Sequence, residues 1–292
     1  MKQKIIIEAR INEYMKRDEN PHVPWTPGEI AQAAADCCAE GASIVHYHVR
    51  NPDGSPCHDP EMYNDAIRRI RDACDILVHP TLGQVTIKGD EARLRHIVEA
   101  QNDPILKPDF APIDMGSTNV DRFDAVAKAY VSDDLAYVNT IGTLQFFARR
   151  MRELGVKPEL VSWTVPFTRT IEAFLEMGLV DEPAYLLFSL TDSGIFGGHP
   201  GTIRGLQTHL DFLPRDRNIV WSVSNKIGNL FGPAALASEQ GGNIAVGLGD
   251  YPYLELGQPT NGTVIREFVR LARGFGREPA TPAETRHILS MA

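Results

Sequence analysis

Long hydrophobic runs are absent from this sequence of 292 residues. Its apolar runs, such as Ile5–Ile7 and Ile76–Val78, are far shorter than the roughly 20 residues that cross a bilayer. The N-terminus has only three isoleucines before Glu8, which is too few for the hydrophobic region of a signal peptide. We therefore expect no transmembrane helix and a cytoplasmic location.

Cysteines are also few, and the chain has no excess of basic charge. The four cysteines include one adjacent pair, Cys37 and Cys38, and no C-x-x-C spacing, which argues against a disulfide framework and against a thiolate metal site. We expect reduced thiols. The formal net charge is -9 at pH 7 and the basic residues are scattered, so the sequence predicts no binding of nucleic acid or of an anionic membrane. The expected partners are small molecules or proteins.

What the sequence does contain is a regular alternation of short apolar or β-branched runs with longer segments of helical period. This alternation predicts βα units around a parallel sheet. Nine runs qualify as strands: Ile5–Asn12, Ser43–Arg50, Ile76–Thr81, Phe110–Met115, Leu135–Thr140, Leu160–Val165, Tyr185–Thr191, Asn218–Ser224 and Asn243–Leu248. Eight strands in about 250 residues fit a (β/α)8 barrel, or TIM barrel, and Leu135–Thr140 is the candidate for the surplus strand.

Helical segments lie between these strands, at Pro27–Glu40, Pro60–Ala73, Leu144–Leu154, Thr168–Met177, Pro233–Glu239 and Thr263–Gly274. Thr26 and Glu29 have the spacing of a capping box at the start of the first helix, with Pro27 at its first position. No linker, charge block or repeat divides the chain, so we predict a single (β/α)8 barrel domain over residues 1–292. An open doubly wound sheet is the alternative, although no G-x-G-x-x-G follows the first strand.

Polar residues occupy one face of the first predicted strand, where Glu8, Arg10 and Asn12 alternate with apolar residues. Barrel strands are covered on both faces, and burying a carboxylate or a guanidinium costs several kcal/mol unless the group is paired or serves a site. We therefore expect this face to line a functional site. The alternatives are an exposed edge strand and a structural ion pair between Glu8 and Arg10.

The second predicted strand repeats this pattern with His46, His48 and Arg50. His-x-His on a strand places both imidazoles on one face, with Cα atoms roughly 6–7 Å apart, so their nitrogens can converge on one ion. The pair predicts a divalent metal site that suits Zn²⁺, with Ni, Fe, Co and Mn as other candidates; the alternative is a satisfied pair of core histidines. Arg50 is placed either to bind a substrate carboxylate or to clamp Asp53 and Asp59 in the following loop.

Other strand ends add further polar groups. Thr81 follows the third strand, and Ser117 and Asn119 follow the fourth. Hydroxyls and backbone amides at such places can bind an anionic or carbonyl oxygen, although the same residue types also form turns. Asp250 is the carboxylate at the end of the last strand, and it is a candidate general base or orienting acceptor, or else a helix cap.

The run Ile44–Gly54, which reads IVHYHVRNPDG, resembles the metal motif of the beta-keto acid cleavage enzymes. Further blocks that look like this family follow in the same order: Asn20–Pro27, Pro108–Ser117, Lys157–Leu160, Gly241–Ile244 and Gly276–Glu284. The resemblance implies a (β/α)8 barrel, usually a homotetramer, with a divalent metal, commonly zinc, at the C-terminal mouth. It also implies a reversible acyl exchange, in which a small-molecule β-keto acid and acetyl-CoA give acetoacetate and a new CoA thioester.

Several positions depart from the family pattern. The family's last strand carries an arginine four residues before a Glu-Asp pair, and that glutamate is the third metal ligand. Here these positions read Ala245, Gly249 and Asp250. Thr81 stands at the family's serine, and Tyr14 replaces the early glutamate that grips an amino substrate, which implies a non-amino substrate.

We hypothesise that Glu8 and Arg10 supply the carboxylate and the guanidinium that the last strand lacks, because the first and last strands are neighbours in a closed barrel. A register error of one residue would turn Glu8 outward. The expected site has His46, His48 and Glu8 as metal ligands, Asp250, Arg10 and Arg50 as catalytic residues, and Asn12, Thr81, Ser117 and Asn119 as substrate-binding residues.

Three functions follow from this site. The first is a metal-dependent acyltransferase or lyase that cleaves a non-amino β-keto acid, with acetyl-CoA as co-substrate. The second is an aldol-type cleavage or a hydrolysis on the same barrel without CoA, because a fold does not fix a reaction. The third is a non-catalytic protein that retains the histidine pair. A need for CoA separates the first from the second, and metal-free protein without turnover would indicate the third.

Overall fold

The computed structural model describes residues 3–13, 15–83 and 86–291, and eight parallel strands set its architecture. These strands are β1 (Ile7–Arg10), β2 (Ile44–Tyr47), β3 (Leu77–Pro80), β4 (Phe110–Asp114), β5 (Lys157–Ser162), β6 (Ala184–Thr191), β7 (Ile219–Lys226) and β8 (Asn243–Val246). Their order around the sheet is β3-β2-β1-β8-β7-β6-β5-β4, so the first and last strands are hydrogen-bonded neighbours. The predicted (β/α)8 barrel is confirmed.

Asp109, just before β4, joins the two ends of this sheet. The Val78 amide in β3 donates to Asp109 Oδ2 at 2.7 Å, and the Asp109 amide donates back to the Val78 carbonyl at 3.0 Å. Arg71 and Arg286 also donate to the Asp109 carboxylate, at 2.8 Å and 2.7 Å. A charged side chain thus helps to close a barrel whose strand ladders stop between β3 and β4.

The helices in the described residues surround the strands. They are α1 (Pro27–Ala39), α2 (Pro60–Ala73), α3 (Asp90–Glu99), α4 (Ile141–Leu154), α5 (Val165–Glu176), α6 (Ile203–Asp211), α7 (Phe231–Gln240), α8 (Asn261–Gly274) and α9 (Pro282–Ile288), with a short 3-10 turn at Leu254–Leu256. Thr26 and Glu29 form the predicted capping box. In the described part of the chain, none of the helices combines the length and apolar character that crossing a membrane requires.

The barrel interior is apolar at one end and polar at the other. At the N-terminal end of the strands, an apolar cluster closes the interior beside α9; it contains Ile6, Ile44, Leu77, Phe110, Tyr185, Ala280 and Leu289. Toward the C-terminal ends of the strands, charged and polar side chains replace this cluster. Active sites of (β/α)8 barrels are built at that C-terminal end.

The surplus strand predicted at Leu135–Thr140 lies outside the barrel. Residues 115–140 leave the end of β4 and form two small antiparallel pairs, Thr118–Asn119 with Ala136–Tyr137 and Phe123–Asp124 with Ala129–Tyr130. The segment returns over the barrel mouth, where the Tyr137 hydroxyl donates to Asp114. It therefore forms part of the roof of the polar interior.

Candidate active site

Strand register brings the two predicted polar faces together inside the barrel. Arg10 in β1 lies opposite His46 in β2, and His46 lies opposite His79 in β3. Because residues two apart on a strand face the same side, Glu8 and Arg10 point into the same interior as His46 and His48. All of these side chains are buried.

The two histidines among the three predicted metal ligands converge on Glu13, which follows β1. Glu13 Oε1 lies 3.0 Å from His46 Nε2, and Glu13 Oε2 lies 3.2 Å from His48 Nε2. One ligand atom from each of the three residues lies within 4.8 Å of the others, as a shared metal ion requires. Glu13 has a positive φ of 36°, a rare backbone conformation for a residue with a side chain that is often found at functional sites.

The electrostatics of these three residues suit a divalent cation. Burial lowers the pKa of His46 to about 3 and also lowers that of His48, so both imidazoles are neutral at pH 7. Burial alone would raise the pKa of Glu13, but Arg10 and Lys226 outweigh it and hold that pKa well below its usual range. Two neutral imidazoles and one carboxylate are the ligand forms that zinc and related ions prefer, so the residues fit the metal that the family pattern implies.

Gly249, which follows β8, leaves the space that Glu13 occupies. A Cβ at Gly249 would lie 2.8 Å from Glu13 Cγ and 2.8 Å from the Arg10 carbonyl oxygen. The Gly249 amide already donates to that carbonyl at 2.9 Å. The space that a side chain on β8 would need is therefore occupied by Glu13 and by the β1 backbone.

Arg10 is the central cation of the site. Its guanidinium donates to Asp250 Oδ2 at 2.8 Å, to Glu8 Oε1 at 3.3 Å and to Glu13 Oε1. These carboxylates raise its pKa well above the usual value despite burial, so Arg10 is charged at any working pH. A guanidinium on β1 thus contacts Asp250 after β8, across the junction of the first and last strands.

Asp250 and Lys226 complete this charged group. Burial raises the pKa of Asp250, and Arg10 and Lys226 offset only part of that rise. Lys226 Nζ, at the end of β7, lies 3.4 Å from Glu13 Oε2 and 3.9 Å from Asp250 Oδ1. A buried carboxylate with a raised pKa beside fixed cations is the environment of a general base.

Glu8 lies deeper in the barrel than the hypothesis required. Its Oε1 is 3.4 Å from His79 Nδ1, and its Oε2 accepts from the Tyr185 hydroxyl at 3.3 Å. Glu8 forms a second group of possible metal ligands with His46 and His79, but among the described residues the carboxylate grouped with both His46 and His48 is Glu13. His79 and Arg10 overcome burial and lower the pKa of Glu8 to about 2.

Two predicted site residues hold the backbone of the site. Asn12 accepts from the His48 amide at 2.9 Å and donates to the His48 carbonyl at 2.7 Å, so its side chain continues the pairing of β1 with β2 beyond Arg10. Arg50 donates to the carbonyl oxygens of Asn12, Glu13 and Met15. These contacts fix the segment that carries Glu13.

The remaining predicted residues differ in position. Thr81 lines the site, and its hydroxyl accepts from the Gly83 amide at 3.1 Å. The Ser117 hydroxyl exchanges hydrogen bonds with the main chain of Asn139. Asn119 is exposed on the segment over the barrel mouth and lines a separate surface pocket with Phe196. The structure therefore brings Thr81, but not Asn119, to the histidine pair.

Two cavities that share lining residues lie at this place. The inner one, of about 60 Å³, is lined by the charged residues Arg10, Glu13 and Lys226, by both histidines and by Trp163, Asp114 and Glu159. The outer cleft, of about 430 Å³, is lined by Trp25, His58 and Tyr63. Glu13, His48 and Thr81 border both spaces. The inner cavity has room for a small polar head group, and the cleft has room for a larger substituent.

Sequence reasoning missed Glu13, Glu159 and Lys226, which line the inner cavity, and also His79, which faces Glu8. Lys226 ends β7 in step with Ser222 and Ser224, so alternation alone could have indicated it, whereas Glu13 directly follows Asn12 and breaks the alternation of β1. Burial and the charge of Glu8 raise the pKa of Glu159 well above its usual value, which favours the protonated form of this carboxyl. No motif in the sequence indicated His79 or Glu159 as site residues.

A comparison with known protein families decides the membership of the chain. The model of the beta-keto acid cleavage enzymes matches residues 4–291. The chain belongs to this family. A 3-keto-5-aminohexanoate cleavage enzyme from Acetoanaerobium sticklandii is 32% identical over 294 residues, which cover 99% of this chain and 99% of that protein.

Proteins named for other substrates are also similar to this chain. A 3,5-dioxohexanoate:acetyl-CoA acetone transferase from Paraburkholderia graminis is 27% identical over 287 residues, covering 93% of this chain and 90% of that protein. Among solved structures, apo ObcA superimposes with a TM-score of 0.72 at 13% identity, covering 93% of this chain and 66% of that chain. The last comparison supports the barrel fold alone.

Proposed function

We propose that this protein is a metal-dependent acyltransferase that cleaves a non-amino β-keto acid with acetyl-CoA, yielding acetoacetate and a new acyl-CoA. The observation that carries the proposal is the convergence of His46, His48 and Glu13 beside the buried Arg10–Asp250 pair. This arrangement combines a cation site with a candidate base at the C-terminal mouth of the barrel. Relatives whose names include acetyl-CoA as a co-substrate support the CoA-dependent form of the reaction.

His46, His48 and Glu13 are the residues that would hold the metal. A divalent ion bound there supplies Lewis-acid polarisation of a keto oxygen. Asn12 fixes the backbone of His48, and Arg50 fixes the backbone of Glu13, so both are positioning residues in this proposal. Such supporting contacts commonly determine the geometry and affinity of a metal site.

Asp250 is the proposed base. It removes a proton from the carbon between the carboxylate and the keto group of the substrate, which prepares that carbon for acyl exchange. Its raised pKa improves its ability to accept the proton, and the Arg10 contact at 2.8 Å fixes its direction. Arg10 stays charged throughout, so it stabilises the negative charge that develops in the inner cavity.

The charge pattern favours a substrate without an amino group. The Glu13 carboxylate is already paired with Arg10 and Lys226 and faces both histidines. An ammonium group in the inner cavity would have to displace one of these partners and would meet two fixed cations. A neutral or anionic substituent avoids this repulsion. Tyr14, the position from which the non-amino substrate was predicted, lies outside the described residues.

A substrate panel tests the proposal. Purified protein is incubated with β-keto acids that carry neutral, anionic and ammonium substituents, with and without acetyl-CoA, and mass spectrometry follows acetoacetate and the new acyl-CoA. We expect turnover only with acetyl-CoA, loss of turnover after chelation and recovery with zinc. Asp250→Asn should abolish it, whereas Asp65→Asn, at an exposed carboxylate paired with Arg69 on α2, should not.

Other outcomes would contradict parts of this proposal. Cleavage without acetyl-CoA would indicate the aldol-type or hydrolytic alternative. Turnover that survives complete metal removal would exclude metal dependence. Preference for the ammonium substrates would refute the non-amino class. The homotetramer implied by the family resemblance is likewise a proposal, and sedimentation equilibrium of the purified protein tests it.

A further inference from the structure

Two partly exposed cysteines lie close together on the helical layer, at the end of the barrel where the strands begin. Cys38 is in the last turn of α1, and Cys74 directly follows α2. The Cys38 sulfur lies 3.7 Å from Asp75 Oδ1, which brings it to the neighbour of Cys74 in the chain. The Cys38 and Cys74 thiols also hydrogen-bond to each other.

The surroundings make the two thiols chemically unequal. Hydrogen bonds from Cys38 and from the Ile76 amide, together with the charge of Arg71, lower the pKa of Cys74 to about 7 against the effects of burial and of Asp75. The hydrogen bond to Cys74 and partial burial raise the pKa of Cys38. At pH 7, about half of Cys74 is therefore thiolate, which is the form of cysteine that attacks oxidants.

The other two cysteines provide a contrast. Cys37 adjoins Cys38 but is fully buried in the core, and burial raises its pKa well above the usual value. Cys57 is also buried, beside the outer cleft. Cys38 and Cys74 thus combine partial exposure, mutual contact and a nucleophilic thiolate, which are the features of a redox-sensitive thiol with a resolving partner.

We propose that Cys38 and Cys74 form a reversible disulfide when the protein meets a peroxide, and that this oxidation site is separate from the candidate active site. The Cys74 thiolate attacks one peroxide oxygen, the O–O bond breaks, and a sulfenic acid forms while the other oxygen leaves as water after taking a proton. The Cys38 sulfur then attacks the Cys74 sulfur, and the hydroxyl leaves as water with the Cys38 proton. Two thiols lose two electrons, and one peroxide becomes two waters.

This disulfide would enclose the part of the chain that carries the histidine pair. The segment between Cys38 and Cys74 contains all of β2 and α2. It also contains both histidines of the candidate site, His46 in β2 and His48 just after it. A covalent link across a segment of this length restricts the unfolded chain and so stabilises the fold. We expect the oxidised protein to unfold about 5 °C higher than the reduced protein.

Thiol counting with peptide mapping tests the proposal. Reduced protein is treated with hydrogen peroxide and denatured, its free thiols are counted, and its peptides are analysed by mass spectrometry. We expect the four thiols to fall to two, with one linked peptide pair that dithiothreitol separates again. The Cys38→Ser and Cys74→Ser variants should lose the link, whereas Cys37→Ser, the matched control at the adjacent buried position, should keep it.

Three outcomes would overturn the proposal. The first is a link that disappears in Cys37→Ser and persists in Cys38→Ser. The second is oxidation of Cys74 to sulfinic acid without any link. The third comes from iodoacetamide labelling of Cys74 at several pH values: the midpoint should lie near pH 7 and rise in Cys38→Ser, and an unchanged midpoint would deny the contact between the thiols. None of these measurements depends on the proposed reaction.

Discussion

The first and last strands, β1 and β8, are neighbours in the barrel and border the same interior. One side of their junction carries charged side chains, and the other carries glycines. β1 and the turn after it supply Arg10 and Glu13, whereas β8 continues into Gly247 and Gly249. A Cβ at Gly247 would lie 2.2 Å from the Arg10 carbonyl oxygen, and one at Gly249 would lie 2.8 Å from Glu13 Cγ. The glycines on one strand therefore leave the space that the charged residues of the other strand occupy.

This contrast is the one expected if β1 and the turn after it, and not β8, supply the guanidinium and the carboxylate of the proposed site. Neighbouring strands project side chains into one central volume, so a guanidinium or a carboxylate can reach the same place from either. The two strands are coupled, because a side chain at Gly249 would collide with the β1 backbone and with Glu13. The following predictions test the charged strand and the glycine strand separately, beginning with the largest effect.

Removal of the Arg10 charge should have the largest consequence. Arg10→Leu leaves the buried carboxyl groups of Glu8, Glu13 and Asp250 without their shared cation. We expect a loss of about 3–5 kcal/mol in the free energy of unfolding and no cleavage activity. Urea denaturation measures the loss in unfolding free energy. The control Arg69→Leu breaks the exposed pair with Asp65 and should cost less than about 1 kcal/mol; equal losses would contradict a central role for Arg10.

The two carboxylates of the charged strand should differ in their effect on metal binding. Glu13→Gln removes the carboxylate beside both histidines and should weaken zinc affinity by at least about 100-fold. Glu8→Gln removes the deeper carboxylate and should retain about one zinc per chain, because Glu8 faces His79. Mass spectrometry of the metal content after dialysis against a chelator compares them. Loss of zinc in Glu8→Gln alone would restore the original hypothesis for Glu8 and refute the assignment to Glu13.

The glycine strand can be tested with a single methyl group. Gly249→Ala introduces a Cβ at 2.8 Å from Glu13 Cγ and from two backbone atoms, Arg10 O and Asn12 N, so the β1 main chain would have to move. We expect a loss of about 1–3 kcal/mol in unfolding free energy. Gly274→Ala at the end of α8 meets nothing within 4 Å and is the matched control. If both variants were equally stable, the coupling between β1 and β8 would be wrong.

The fold was predictable to a greater extent than the site. The alternation of apolar runs and helical segments depends on local spacing, and it identified the barrel and the helix that begins at Thr26. The surplus run at Leu135–Thr140 was also recognised, because the ninth strand could not fit a barrel of eight. These features follow from periodicity and count, which a single sequence contains.

The site depends on distances between strands, which spacing along one strand does not specify. Alternation correctly placed Glu8 and Arg10 in the interior but could not show that Glu8 lies one layer below the histidine pair. Glu13 sits after the strand, in a turn with positive φ, where the period of two no longer applies. Arg50 and Asn12 have the residue types of a substrate site, yet their donors reach backbone carbonyls. Residue type alone does not distinguish these uses.

The smallest predicted effect is a pH dependence of stability that comes from the outer helical layer and not from the charged interior. His209 on α6 stacks on Phe188 outside the strands, and burial lowers its pKa to about 3, as it does for His46 inside. Because the unfolded chain binds the proton with an ordinary pKa near 6.5, this contribution to stability is complete above pH 6.5 and is lost as the pH falls toward 3.

Urea denaturation at pH 7 and pH 6 isolates this contribution. Wild-type protein should lose about 0.7 kcal/mol more than His209→Gln over that interval, because the glutamine does not titrate. Chelator-treated protein should show the same difference between the two proteins as zinc-loaded protein, since His209 lies in the outer layer. A difference that appears only with zinc removed would place the proton-sensitive step at the histidine pair in the interior, where protons and metal compete for His46.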